Sequence, residues 1–251
     1  MSILVSVRSE TVKLKRTLCI YICLAAAVFG PFMTFIENLD VGPNSKLGVS
    51  WTEYFMEGHE TLSFALLPLY VILTCTLLLQ IEYRDNTWKQ LISSPQKLLH
   101  IFLSKFIVFQ LTILAFMVGH LIFQGIAAWI TEMIRSDLYD GKFDIRKILI
   151  ANTQVYILVL GMTAIQYRLA FRFKSFIASL AIGFALWFTG ALIAFEFKWG
   201  MVEYYPYAFT LLGAWQKYKA NVVTYQWYSI ITALVFLGIG YAEFSRKKIR
   251  A

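Results

Sequence analysis

Charge is scarce in this chain. Asp, Glu, Lys and Arg make up 15% of its 251 residues, against roughly 25% in an ordinary soluble domain, and they fall between long apolar runs. Cysteine is nearly absent. Cys19, Cys23 and Cys75 supply neither a disulfide framework nor zinc-site spacing. Cys19 and Cys23 share a helix face at i, i+4, but all three lie in apolar runs, where cysteine packs as a small hydrophobe. His59, His100 and His120 are isolated from one another in sequence. The chain has no G-x-x-x-x-G-K-[ST] phosphate loop, no H-E-x-x-H and no G-x-S-x-G, and no soluble stretch long enough for a nucleotide-binding domain. A self-contained nucleotide hydrolase and the usual metallo- and serine hydrolases are thereby excluded. No internal repeat or low-complexity segment is present.

What fills the chain is hydrocarbon. Hydrophobic residues reach 59% and mean hydropathy is +0.62. Six stretches carry no Asp, Glu, Lys or Arg: 18–36, 62–81, 106–131, 148–167, 175–195 and 221–242. A helix needs about 20 residues to cross about 30 Å of hydrocarbon, so all six qualify. Membrane strands would alternate polar and apolar over about 10 residues, which these runs do not. The expected fold is all-α and integral to the lipid bilayer, a single domain over 1–251 with six transmembrane helices. Pro31 and Pro68 fall inside the first two spans and are expected to kink them. The first run is too long for a signal-peptide core, and no small-residue cleavage site follows it cleanly, so cleavable targeting is not expected.

The net charge of +8 suggests nucleic acid until its placement is examined. With the N-terminus in the cytoplasm and six crossings, cytoplasmic segments hold 15 of the 23 basic residues and four of the 15 acids, a balance of +11. The outer segments hold the other 8 bases and 11 acids, a balance of −3. Basic residues beside spans resist translocation, so both termini are expected on the cytoplasmic side of the plasma (inner) membrane, and no nucleic-acid partner is expected.

Between the spans the chain is mostly short. Residues 2–17 interleave Ile3, Val5, Val7, Val12 and Leu14 with basic residues, the pattern of an amphipathic segment lying on the cytoplasmic leaflet or of a basic flank that sets orientation. The outer stretches 37–60 and 132–147 read as loops. Residues 197–220 are rich in Trp and Tyr but broken by Gly200, Pro206 and Gly213, which predicts short interfacial helices dipping into the outer leaflet before the last span. In span three, Gln110, Met117, His120 and Gln124 fall on one helical stripe. That stripe faces a substrate path or a dimer interface, or it supplies hydrogen bonds between helices of the same chain, worth about 1 kcal/mol each. Gln166 and Arg168 read as interfacial termination of span four.

The most informative segment lies between spans two and three and reads EYRDNTWKQLISSPQKLLHIFLSK from Glu82 to Lys105. Asp85 or Asn86 can cap a helix beginning near Thr87, and Pro95 ends it. Trp88, Leu91 and Ile92 then share one face, with Lys89, Gln90 and Ser93 toward the other. Such a helix can lie flat on the membrane with Trp88 among headgroups, or insert into a groove on a soluble partner. Glu82, at the end of span two, can pair with Arg84, Lys105 or Arg168, or serve in transmission of movement.

Two motifs carry a resemblance to a known family. S-E-T-V-K-L-K-R-T over residues 9–17 and E-x-R-x-N-T-W-K-Q-L-x-x-x-P-x-x-x-x-x-x-F-x-x-K over residues 82–105 resemble ABC-2 type permeases, in the subgroup associated with lantibiotic immunity and bacitracin resistance. The resemblance covers the whole chain by topology. It implies a cytoplasmic coupling helix over about 86–95, with Thr87, Trp88, Lys89, Gln90 and Leu91 at the contact with an ATPase and Glu82 and Lys105 bordering it. It also implies a cytosolic ABC ATPase subunit dimer as partner and a second permease copy or homologue. ATP would be bound by the partner, with no cofactor, metal or catalytic residue in this chain. The implied activity is export of a hydrophobic or amphipathic cargo such as a peptide antibiotic. Rival readings are a transporter or channel independent of an ATPase, an intramembrane enzyme, and an assembly subunit that moves nothing. The first needs ion-coordinating residues at mid-span and the second a polar constellation; neither is found.

Overall fold

A chain segment in hydrocarbon must satisfy every backbone N–H and C=O within itself, and the helix does so without help from neighbours. The computed structural model describes residues 3–14, 18–40, 50–84, 97–134, 143–173, 175–197 and 200–249. Among these, six helices are long and apolar enough to cross a membrane, and no strand occurs. A short helix, α1 (Ile3–Leu14), precedes span one, which is α2 (Leu18–Asp40). Span two is built from α3 (Trp51–Thr61), a π turn (Leu62–Leu66) and α4 (Leu67–Arg84). Spans three and four are α5 (Leu98–Ile134) and α6 (Ile145–Arg172). Span five, α7 (Phe176–Leu192), ends in a second π turn (Ile193–Phe197). A 3₁₀ turn (Gly200–Tyr204), α8 (Phe209–Ala214) and another 3₁₀ turn (Gln216–Asn221) lead to span six, α9 (Val222–Ile249).

The helices outrun the apolar stretches. Residues 37–60, expected as a loop, instead hold the end of α2 and all of α3 but Thr61. A capping box starts α3: Ser50 Oγ accepts from the Glu53 N–H at 3.2 Å, and the Glu53 carboxylate accepts from the Ser50 N–H at 3.0 Å. Its acids are amphipathic decoration, with Tyr54, Phe55 and His59 turned inward. Pro68 accounts for the adjoining π turn. It has no N–H for the Phe64 carbonyl four residues back, and that carbonyl accepts instead from Trp187 Nε1 at 3.2 Å, while the Leu67 N–H reaches back to Leu62 O.

Spans two and four form the buried axis, with 61% and 56% of their most apolar windows covered, whereas spans one, five and six have 22% each and turn most of their surface outward. The most extensive pairing is α6 with α9. At its centre Ser229 Oγ accepts from the Gly161 N–H at 2.8 Å and can donate to the Ile157 or Leu158 carbonyl at 2.8 and 2.9 Å. A β-carbon on Gly161 would lie 3.1 Å from the Ser229 carbonyl oxygen, so glycine is what lets the two backbones approach.

One expectation is corrected here. Gln166 does not terminate span four, since α6 continues to Arg172 and Gln166 is buried inside it. Its amide donates to Ser179 O at 3.2 Å, and its Oε1 accepts from Tyr207 Oη at 3.1 Å. Tyr207 belongs to the segment of short helices before span six, and that segment packs into the protein. Tyr207, Phe209, Leu211 and Leu212 are buried in the bundle core.

Gly161→Leu is expected to force α6 and α9 apart and to cost about 1–3 kcal/mol, read as a lowered thermal midpoint of the detergent-purified protein. An unchanged midpoint would mean that the contact is not tight.

Candidate functional site

One end of the bundle gathers the ends of four spans. Tyr83 Oη donates to Phe171 O at 2.7 Å, tying α4 to α6. Tyr167 Oη donates to Phe102 O at 2.7 Å, tying α6 to α5. Arg168 on α6 pairs with Glu243 on α9 at 2.6 Å. Aromatic rings fill the space between, with Phe102 against Tyr167, Phe171, Tyr241 and Phe244 at centroid distances of 5.1 to 5.9 Å.

Against this end lies α1, and between them sits a ring of four charges. Lys105 Nζ on α5 is 2.7 Å from Glu82 on α4 and 2.7 Å from Glu10 on α1. Lys13 Nζ on α1 is 2.9 Å from Glu82 and 2.9 Å from Glu10. Acid and base alternate around the ring, and its formal charge sums to zero. The inner pair is dry, with the Glu82 and Lys105 side chains 1% and 5% exposed; the α1 pair is wetter, Glu10 at 13% and Lys13 at 38%. Leu14, Cys75, Leu79, Val108 and Phe109 wall the same crevice. The crevice between them is about 20 Å³, room for about one water, so the four charges meet one another directly.

The amphipathic segment of the N-terminus is thus turned opposite to a simple surface helix. Its acid and base face the protein together with Ser6 and Leu14, while Leu4, Val5 and Val12 face outward. Of the cations considered for Glu82, Lys105 meets it, and Arg168 is engaged by Glu243 instead. Glu10 and Lys13 had not been singled out. Their signal was the i, i+3 acid–base spacing inside SETVKLKRT, which favours a local pair and says nothing of a buried partner distant in sequence. Thr87, Trp88, Lys89, Gln90 and Leu91 lie outside the described residues, in the stretch 85–96 that α4 and α5 flank.

The span-three stripe is buried within the single chain. Gln110 Nε2 donates to Thr163 Oγ1 on α6 at 3.0 Å, and Gln124 Nε2 to Tyr54 O on α3 at 3.1 Å. Met117 and His120 are buried beside them. Among the described residues Gln110 Oε1, His120 Nδ1 and Gln124 Oε1 have no hydrogen-bond partner, which is costly in an apolar interior, so helix-to-helix bonding accounts for part of the stripe only.

Comparison with protein families decides the assignment. A family model described as ABC-2 family transporter protein matches residues 6–190, from α1 through most of α7. The chain belongs to the ABC-2 transporter family. No curated protein matches it. Membership implies, in general, a membrane setting and a partnering ABC ATPase. In this ABC-2 protein the match includes every member of the charged ring.

The ring also sets a pH response. Burial alone would lower the Lys13 ammonium, but the Glu10 carboxylate, with Glu82 beside it, outweighs burial and holds it above the ordinary lysine value of 10.5. A raised lysine stabilises the fold fully below its unfolded value and ceases to do so as pH climbs through the folded one. Loosening of α1 through Lys13 is therefore expected only above pH 10.5, and not between pH 7 and 9. Removing charges one at a time should separate the dry pair from the wet one. Lys105→Met is expected to cost about 3–5 kcal/mol and Lys13→Met about 0–1 kcal/mol, measured by thermal or denaturant unfolding in detergent. Equal losses would refute the distinction.

Proposed function

We propose that this chain is the membrane-spanning permease subunit of an ABC exporter, coupling ATP hydrolysis by a separate cytosolic ATPase dimer to outward movement of a hydrophobic or amphipathic cargo. The observation that carries this reading is the closed ring that joins the ends of α4 and α5, the two helices flanking residues 85–96, in a chain of the ABC-2 family. A short helix over about 86–95 would present Thr87, Trp88, Lys89, Gln90 and Leu91 to the ATPase. The ion pair Glu82–Lys105 would make the two span ends respond together when that helix is pushed. The charge asymmetry of +11 against −3 supports both termini, α1 and the coupling segment lying on the cytoplasmic side of the plasma membrane.

In this reading two permease copies, or one copy and a homologue, stand side by side, and ATP binding draws the coupling helices together. The bundles then open or compress a central path. Gln110, Met117, His120 and Gln124 supply the polar stripe of that path or of the contact between subunits. The chain itself does no bond chemistry and holds no cofactor, since ATP is bound by the partner. The likeness of SETVKLKRT and of the 82–105 motif to lantibiotic-immunity and bacitracin-resistance permeases favours a peptide antibiotic as cargo, taken from the membrane.

Co-purification from native membranes in mild detergent tests the assignment, comparing the intact chain with Trp88→Ala/Leu91→Ala. An ATPase subunit should come down with the intact protein, and its recovery should fall at least about ten-fold in the double variant, the factor that about 1.4 kcal/mol of lost contact produces. The variant's thermal midpoint should not move. An intact protein that recovers no ATPase would leave Trp88 as a membrane anchor and remove the exporter reading.

A further inference from the structure

The four ion pairs of the charged ring fall into two kinds. Two lie within a single body: Glu10–Lys13 inside α1, and Glu82–Lys105 between the bundle helices α4 and α5. The other two, Lys13–Glu82 and Lys105–Glu10, cross from α1 to the bundle. Cutting only the crossing pairs leaves an acid and a base together on each side. Separating α4 from α5 instead, with α1 left on either one, strands a lone Lys105 or a lone Glu82, and stranding is what makes the breakage of a buried pair so costly. The exposure gradient runs the same way. The pair that would leave is the wetter one, and the pair that would stay is dry.

Beyond the ring, α1 is held by buried Ser6 and by apolar contacts. Val7 and Leu14 pack on Cys19, Val108 and Leu78, while Leu4, Val5 and Val12 face away from the bundle. With 12 residues, α1 is at the length where an isolated helix is marginal in water. Its order therefore depends on what it touches.

We propose that α1 is a releasable strap across the adjoining ends of α4 and α5, fastened by a charge ring that divides into two self-neutral halves. Fastened, Lys13 and Glu10 hold Glu82 and Lys105 in one geometry. Released, α1 carries its own ion pair away, and the bundle keeps Glu82–Lys105. Glu10 and Lys13 are positioning residues that act through the two bundle charges. What drives release rests on the exporter reading: a push on the segment between α4 and α5 alters the spacing of Glu82 and Lys105, and the crossing pairs are strained first. The strap itself requires no ATPase.

Hydrogen exchange of the full chain in lipid nanodiscs reads the strap directly. Glu10→Gln/Lys13→Gln removes both crossing pairs and retains the inner one. Amide exchange over α1 should rise about ten-fold or more, with α4 and α5 unchanged. Reversing all four signs together (Glu10→Lys, Lys13→Glu, Glu82→Lys, Lys105→Glu) rebuilds the ring and should restore protection, which a role for particular side-chain shapes would not predict. If α1 keeps its protection in the double variant, apolar contacts hold it and the strap is refuted. If α4 and α5 lose protection along with α1, the three are one cooperative unit and the strap is refuted equally. Neither readout involves the ATPase, so co-purification can fail while the strap stands, and the reverse.

Discussion

A charge inside this bundle can persist only beside its opposite, because removing an ion from water costs several kcal/mol that the interior returns only through close pairing. The Glu82–Lys105 contact at 2.7 Å is where that constraint shapes the architecture most. Lys105 can sit inside the bundle because two carboxylates meet it, and so α5 runs unbroken from Leu98 through a position that would otherwise end an apolar span. One of those carboxylates comes from α1, which is thereby folded back against the bundle. The same contact fixes how α4 and α5 meet on either side of 85–96.

Hydrogen bonds obey the constraint in a milder form. Three polar groups inside the bundle are met by a side chain from elsewhere: Trp187 for the carbonyl released by Pro68, Ser229 at the Gly161 backbone, Tyr207 for the buried amide of Gln166. The last of these anchors the segment of short helices before span six in the bundle core. Each answer joins elements far apart in sequence, and none belongs to a local motif.

That division explains what was legible in the sequence. The six spans were, because about 20 uncharged apolar residues leave a helix few alternatives in lipid, and Ser50 with Glu53 is a readable cap once α3 is suspected. The true lengths were not. Lys105, Glu53 and Glu57 looked like span ends or loop because composition counts a charge without its partner. Glu82 and Lys105 were singled out by their place beside the loop. Glu10 and Lys13 were missed because nothing in an i, i+3 pair tells that it closes on residues of α4 and α5. Gln166 was misread for the same reason, since Tyr207 lies far along the chain.

The two ends of the bundle are held by different forces, and this bears on which end can move. At the end opposite α1, α3 meets α2 and α5 through Tyr54, bonded to Gln124 and near Thr34, and Phe195 packs between Phe64 and Trp215. Such packing is short-ranged, and a small radial separation already forfeits much of it, so it favours one arrangement. At the α1 end, the aromatic block around Phe102 ties α5, α6 and α9 together in the same manner, but α1 is held there by ion pairs as well as by the apolar contacts of Val7 and Leu14. Ion pairs weaken gradually with distance and can exchange partners among alternating charges. A mechanism that must move the ends of α4 and α5 while keeping the bundle intact would place its adjustable contact there and its rigid contacts elsewhere, which is the distribution this chain has.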